Sequence, residues 1–352
     1  MVKYYGKKII EIEGDNYLNA VCPALDGGIL ACGAIYTPAG YSDPFVIKLN
    51  PCGEKEWCTV FASSPQTNPW AQDIKETQTG DIIVLVNQYG QNNVEDMNLF
   101  KLNSSGELIW EETYCSGSVY PEGALPLGYS LAITSHGDYL ISGNVYWENP
   151  WNPGGPKKLR PLFVMVDSIG TEKWVLPFGV QDSLSGEAIN FLDIGSEPYI
   201  GVGYYWPDQG YDEGLIMEFD NEGNELNFKR VNAKEIDTTF NRLLFYNAYR
   251  FDSAIVFGGL MGVEPVGSPT MEAVSDTNLF INLLFNPYIQ HSNLRSPYSL
   301  GRAGEKVLSN STYKETSNWD IVLSKLNLNL ENDSLDPGNY TYHSVCTTRG
   351  LS

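Results

Sequence analysis

Three histidines, His136, His291 and His343, stand far apart, and the six cysteines at 22, 32, 52, 58, 115 and 346 contain no Cys-x-x-Cys pair. Zinc takes close sets of nitrogen and sulfur ligands, so no metal residues are assigned. No Ser, His and Asp stand in a recognisable triad order, and no Gly-rich phosphate loop precedes a helix. No catalytic residues are assigned on that basis. Carboxylates are plentiful, with Glu122, Glu148, Asp182, Glu187, Asp208 and Asp212 all between apolar runs. Two of them about 5–9 Å apart could hydrolyse a glycoside, but their spacing does not pair them. Another acid recurs: Asp43, Asp96 and Asp320 precede Asn50, Asn103 and Asn327 by a constant interval, and Glu213 precedes Asp220 by the same one. Either these carboxylates accept backbone N–H bonds where a strand begins, or they supply oxygen ligands to Ca²⁺. Calcium is the one cofactor the chain suggests; otherwise none is expected.

The second chemical set is aromatic. "YWENPWNPGGPKKLRP" begins at Tyr146 and "YYWPDQGYDEG" at Tyr204, while "QTNPW" ends at Trp70 and "TYKETSNWD" runs from Thr312. Exposed Trp and Tyr present flat faces to sugars or to a protein partner. Trp147, Trp151, Tyr205, Trp206, Trp70 and Trp319 are therefore candidate ligand- or partner-binding residues. The alternative is that the rings pack beneath the loops and stiffen them. Lys157, Lys158 and Arg160 join the set as a local cationic spot. Prolines at 150, 153, 156, 161 and 207 reduce the entropy these loops lose on ordering.

The elements that must hold these loops are legible as repeats. "KLNPCGEKEW" from Lys48, "KLNSSGELIW" from Lys101, "VDSIGTEKW" from Val166 and "FDNEGNELNF" from Phe219 share one turn, with glycines at Gly53, Gly106, Gly170 and Gly223. A second turn recurs between them: "DGGILACGAIY" from Asp26, "TGDIIVLVNQY" from Thr79, "HGDYLISGNVY" from His136 and "SEPYIGVGYYW" from Ser196. Gly supplies the positive φ of a tight hairpin, and the apolar run after it is a strand. Each period thus holds four short strands, the pattern of a β-propeller blade. In the second period the strands are expected at "WAQDIKETQ" from Trp70, "IIVLVNQY" from Ile82, "MNLFKLN" from Met97 and "ELIWEETY" from Glu107. Trp57, Trp110 and Trp174 fall on the outermost strand, where a large ring fills the widening gap between blades. No sustained helical periodicity competes.

The expected fold is therefore all-β, a propeller of six four-stranded blades, with seven as the alternative. One domain spans 1–352: an N-terminal strand within 1–15 closes the ring, with blades near 19–62, 70–115, 128–179, 187–232, 239–295 and 300–346. Antiparallel connectivity sends the tight turns to one end of each sheet and the long aromatic loops to the other, so the long-loop end is the candidate functional face. Cys22 and Cys32 flank Gly27 symmetrically. In a three-residue hairpin loop they face each other, as a disulfide or as buried thiols. Cys52 and Cys58 bracket the next turn with the same two readings.

A net charge of −21 excludes nucleic acid as a natural partner, because a phosphate backbone would be repelled. No apolar stretch approaches the roughly 20 residues that span a bilayer. "MVKYYGKK" is basic but lacks the apolar core of a signal peptide.

The run "DGGILACGAIYTPAGYSDPFVIKLNPCGEKEW" and the C-terminal "LNLNLENDSLDPGNYTYHSVC" resemble the repeats of secreted Bacteroidetes surface propellers that precede a type IX secretion sorting domain. His343 and Val345 depart from the usual Asp and Leu of that terminal motif. The resemblance implies an extracellular or cell-surface protein whose leader and sorting domain are not part of this chain. It also implies O-glycan attachment at Asp-Ser/Thr triplets, with Ser183 and Thr238 the best acceptors. It brings no catalytic set. The functional expectation is a non-catalytic module that binds a protein or glycan at the cell surface. The alternatives are a glycan-active hydrolase using loop carboxylates, or a structural component of the secretion or surface machinery.

Overall fold

A computed structural model describes residues 8–11, 15–37, 40–63, 67–89, 95–114, 125–147, 158–179, 185–191, 197–207, 210–236, 241–251, 254–262, 270–276, 281–284, 299–300, 306–313, 319–326, 340–343 and 347–350. Strand β1 (Lys8–Glu11) comes first. The first sheet follows as β2 (Asp15–Pro23), β3 (Ile29–Tyr36), β4 (Ser42–Leu49) and β5 (Lys55–Ala62). The second is β6 (Asn68–Glu76), β7 (Ile82–Tyr89), β8 (Glu95–Leu102) and β9 (Leu108–Tyr114). The third is β10 (Leu125–Ile133), β11 (Tyr139–Trp147), β12 (Lys158–Val166) and β13 (Glu172–Pro177). The fourth is β14 (Gly186–Phe191), β15 (Tyr199–Tyr205), β16 (Glu213–Phe219) and β17 (Glu225–Val231), closed by the short helix α1 (Ala233–Ile236). The fifth is β18 (Arg242–Phe251), β19 (Ala254–Gly262), β20 (Thr270–Asp276) and β21 (Ile281–Leu284). The sixth holds β22 (Ser299–Leu300), β23 (Lys306–Tyr313) and β24 (Trp319–Leu326); β25 (Tyr340–His343) and β26 (Thr347–Gly350) complete the chain.

Each of the first five sheets is an antiparallel meander in chain order. In the sixth, β1 pairs antiparallel with β24 and parallel with β25, giving the order β22-β23-β24-β1-β25. The last strand, β26, adds in parallel to the outer edge of β5. The chain divides into two compact units. One comprises Met1–Tyr114 with Leu294–Ser352, and the other Cys115–Asn293. Three sheets lie in each.

Inner strands are buried on both faces and outer strands on little more than one end. Ile82 to Asn87 of β7 are all buried, whereas β9 alternates between half-buried and exposed residues until Tyr114. That is why the inner strands read as continuous apolar runs rather than as alternations. Between the first and second sheets, Leu30, Val46 and Phe61 pack with Ile74, Ile82, Val84 and Phe100. Between the third and fourth, Phe163, Met165 and Phe178 pack with Leu215, Met217 and Phe219.

The repeated turn is built the same way four times. Asn50, Asn103, Asp167 and Asp220 each accept, through Oδ1, the backbone N–H groups two and four residues on, at 2.8–3.1 Å. A side chain that imitates a backbone turn needs Asn or Asp at that position. The glycine that follows has a second duty. The Trp57 ring of the first sheet lies over Gly106 of the second, and the Trp174 ring of the third over Gly223 of the fourth. A Cβ at Gly106 would stand 2.7 Å from Trp57, and one at Gly223 2.8 Å from Trp174. The indole N–H groups donate to Ser104 O at 3.0 Å and Asn221 O at 2.8 Å. The Gly-x-x-x-Trp spacing is thus a sheet-to-sheet latch.

Of the two readings for Cys22 and Cys32 the thiol one holds, but the expected face-to-face pairing requires correction. The first hairpin turns through Ala24–Gly28, with Pro23 paired to Ile29. Cys22 therefore stands opposite Leu30 and Cys32 opposite Ala20. The turn is two residues longer than a three-residue loop centred on Gly27, and the two sulfurs do not meet across the pair. Cys22, Cys32 and Cys52 are thiols, and burial pushes the thiols of Cys22 and Cys32 upward in pKa. Cys58 is disulfide-bonded, so its partner is not Cys52.

Candidate functional site

The long-loop end of the fourth sheet gathers Gly186 and Glu187 at the start of β14, Tyr204 and Tyr205 at the end of β15, Glu213 at the start of β16, and Arg230 and Val231 at the end of β17. Successive strand residues point to opposite faces, so Tyr204 and Tyr205 serve different environments.

On the Tyr205 side lies a cavity of about 470 Å³, lined by Tyr205, Pro207, Gly210, Tyr211, Glu213, Arg230, Asn232, Lys234 and Asn241. The Arg230 guanidinium stacks over the Tyr205 ring, 4.8 Å from its centroid, a cation–π contact. Arg230 Nε is 3.8 Å from Glu213 Oε2, and Asn232 Nδ2 donates to Glu213 Oε1 at 3.0 Å. Tyr211 is 42% exposed. Asp212 does not add its charge freely, because Arg242 Nε donates to its carboxylate at 2.5 Å. Glu213 is the one carboxylate lining the cavity among the described residues.

On the Tyr204 side a polar network is sealed in. Glu187 is 7% exposed. Tyr204 Oη donates to its Oε2 at 2.5 Å and Asn144 Nδ2 to its Oε1 at 2.9 Å; Asn144 Nδ2 also lies 2.7 Å from Tyr129 Oη. Burial raises the Glu187 pKa even though these hydrogen bonds oppose it, and burial together with the Glu187 carboxylate raises that of Tyr204. A β-bulge interrupts the innermost strand of each of the first five sheets, at Asn19, Gln72, Tyr129, Ile189 and Tyr246. Bulges re-aim side chains. Here they turn Tyr129 toward Asn144 and bring the Tyr246 ring within 6.3 Å of Tyr204.

The residues singled out from sequence separate accordingly. Tyr205 lines the cavity. Trp206 follows it, with its backbone N–H donating to Ser185 O at 2.7 Å and its ring 5.3 Å from Tyr204, so it belongs to the sealed side. Trp70, where a loop was expected to end and a strand to begin, pairs within β6; its ring lies 4.9 Å from that of Tyr89, and its indole donates to Gln72 Oε1. Arg160, expected as a loop cation, is 8% exposed, and its guanidinium donates to Pro177 O at 2.6 Å and to Gly179 O. It satisfies carbonyls where β13 ends and is a strut. Trp147 and Lys158 face each other in register at the ends of β11 and β12, and Trp319 opens β24 opposite Tyr313; their side chains lie outside the described residues. Trp151, Lys157, Ser183 and Thr238 lie outside the described residues altogether. The recurring acid is a clasp in two sheets. Asp43 accepts Ser63 N and Oγ, both at 2.8 Å, just as Glu213 accepts Asn232, each just past an outer strand. Arg230, Asn232 and Lys234 were not anticipated. The signal was available: the end of an outer strand always meets the start of the third strand at the long-loop end.

No protein-family model matches the chain, and no curated protein matches it. Solved structures do. A protein of unknown function from Dyadobacter fermentans DSM 18053 aligns with a TM-score of 0.55 at 12% identity, over 92% of this chain and 98% of its own. Trypanosoma rangeli sialidase, solved with the inhibitor DANA, aligns with a TM-score of 0.53 at 9% identity, over 92% of this chain and 59% of its own. The fold is a β-propeller. Among the described residues, no helix is long and apolar enough to cross a membrane.

Proposed function

We propose that this protein is a non-catalytic, surface-displayed propeller that binds glycan through the cavity at the long-loop end of its fourth sheet. The observation that carries the reading is the lining. Two tyrosine rings, one of them well exposed, stand beside an arginine, an asparagine, a lysine and a glutamate. Flat apolar faces with polar groups at their edges suit a sugar ring, which has an apolar face and a hydroxyl rim. The propeller likeness to a sialidase agrees with a carbohydrate ligand, and the sequence resemblance supports export to the cell surface by a type IX route.

The lining also disfavours cleavage by a carboxylate pair. Most glycosidases use two carboxyl groups about 5–9 Å apart, sialidases with a tyrosine nucleophile being an exception. Among the described residues Glu213 is the single carboxylate at the cavity, and Glu187 faces the other side of the sheet, hydrogen-bonded to Tyr204.

An oligosaccharide array followed by calorimetry tests the reading. Tyr205→Ala and Tyr211→Ala should each weaken binding by about tenfold or more, as central aromatic anchors do, with no release of reducing ends by the parent protein. Steady accumulation of reducing ends would overturn the non-catalytic reading. Capture of a protein partner with no retention of any glycan would replace the ligand class.

A further inference from the structure

Resting on the glycan reading above, we infer that the cavity's ligand is anionic: a sugar carrying a carboxylate or a sulfate. The chain as a whole is strongly acidic, at −21, so an acidic lining would be the default. The cavity reverses it. Among the described lining residues, two cations, Arg230 and Lys234, face one carboxylate, Glu213, and its chain neighbour Asp212 is paired with Arg242. Among the described residues, the one acid within ion-pair distance of Arg230 is Glu213, at 3.8 Å to Nε, and Lys234 is in no ion pair. Meanwhile Glu213 receives Asn232 on its other oxygen.

The terminal guanidinium nitrogens are thus left for a ligand, and the cation–π contact with Tyr205 holds the group beside the aromatic ring. A planar fork of that kind matches the paired oxygens of a carboxylate or sulfate. The Arg230 side chain is 49% exposed, so solvent and ligand reach it. Lys234, exposed on α1, adds a point charge whose reach does not depend on ligand geometry. A purely solubilising role would not require a guanidinium held over an aromatic ring inside a concavity.

The test uses the intact chain and three oligosaccharides of one backbone: a neutral glucan, its glucuronic acid counterpart and its sulfated form. Calorimetry should give about tenfold or greater preference for a charged form over the neutral one, the scale of one charge-assisted hydrogen-bond pair. Which of the two charged forms wins distinguishes carboxylate from sulfate. Arg230→Gln and Lys234→Gln, each checked for an unchanged melting temperature, should cost the charged ligand about tenfold and the neutral one less than threefold. Equal or tighter binding of the neutral glucan, still lost in Tyr205→Ala, would overturn the anionic inference and leave the glycan reading standing. Failure of all three to bind would overturn both.

Discussion

Glu187 shows how much one residue can reveal about its surroundings. It is a nearly buried carboxyl whose partners are two tyrosines and an asparagine rather than a cation. Its folded-state pKa lies above the unfolded value near 4.5. The folded protein then holds this proton more tightly than the unfolded chain. The resulting stability is complete below the unfolded pKa and is lost as pH rises through the raised folded value. Glu187→Gln keeps an acceptor for Tyr204 and removes the titration. Melting temperatures of parent and variant, measured from acid to neutral pH, should diverge: the parent loses stability over that window and the variant lacks that component. Parallel profiles would show that the Glu187 pKa is the same in the folded and unfolded states. At the same scale, Arg160 and Trp70 carry a caution. Both have the residue type of a binding group, but Arg160 spends it on carbonyls at a strand end, whereas Trp70 is half-buried beside the exposed Tyr89. Residue type announces capacity, while burial decides use.

The element that recurs is the turn–strand latch. An Asn or Asp builds the turn, the glycine leaves room, and the tryptophan of the preceding sheet occupies it. Gly223 has φ of +81°, a conformation L side chains rarely adopt, and an added Cβ would fall 2.8 Å from the Trp174 ring. Gly223→Ala therefore carries both backbone strain and a steric clash, at roughly 2–4 kcal/mol together. Trp174→Ala, at a half-buried site, should cost roughly 2–4 kcal/mol. In the double variant the clash disappears with the ring, so the two losses should fall short of additive by about 1 kcal/mol or more. Chemical denaturation of the four proteins measures this. Strict additivity would mean that the ring and the glycine are neighbours without being a latch. This element was readable in the chain, since the glycine and tryptophan recur together and β7 begins and ends where its apolar run does, at Ile82 and Tyr89. The first hairpin was misread because Ala24 and Leu25 look like strand residues, yet they lie in the turn. Two extra turn residues moved Cys22 from Cys32 to Leu30.

At the scale of the whole molecule, sequence and structure contribute different parts of the account. A repeat is visible in sequence because each blade must solve the same packing problem with the same residue types. A site breaks the repeat, so its residues do not announce themselves by recurrence. Tyr205 stood out as part of an aromatic loop, but Arg230, Asn232 and Lys234 become a set only when β17 ends beside β16 at the long-loop end. The tight turns at the other end are occupied by their own hydrogen bonds and by the latch, which is why the proposed site lies at the long-loop end. The central claim is that this end of the fourth sheet is where a glycan binds. A crystal structure with a bound oligosaccharide tests it most directly. The account expects a sugar ring against Tyr205 and Tyr211, with its polar edge at Arg230 and Asn232. A sugar seated on the tight-turn end, or one held at the long-loop end without touching either tyrosine, would contradict it.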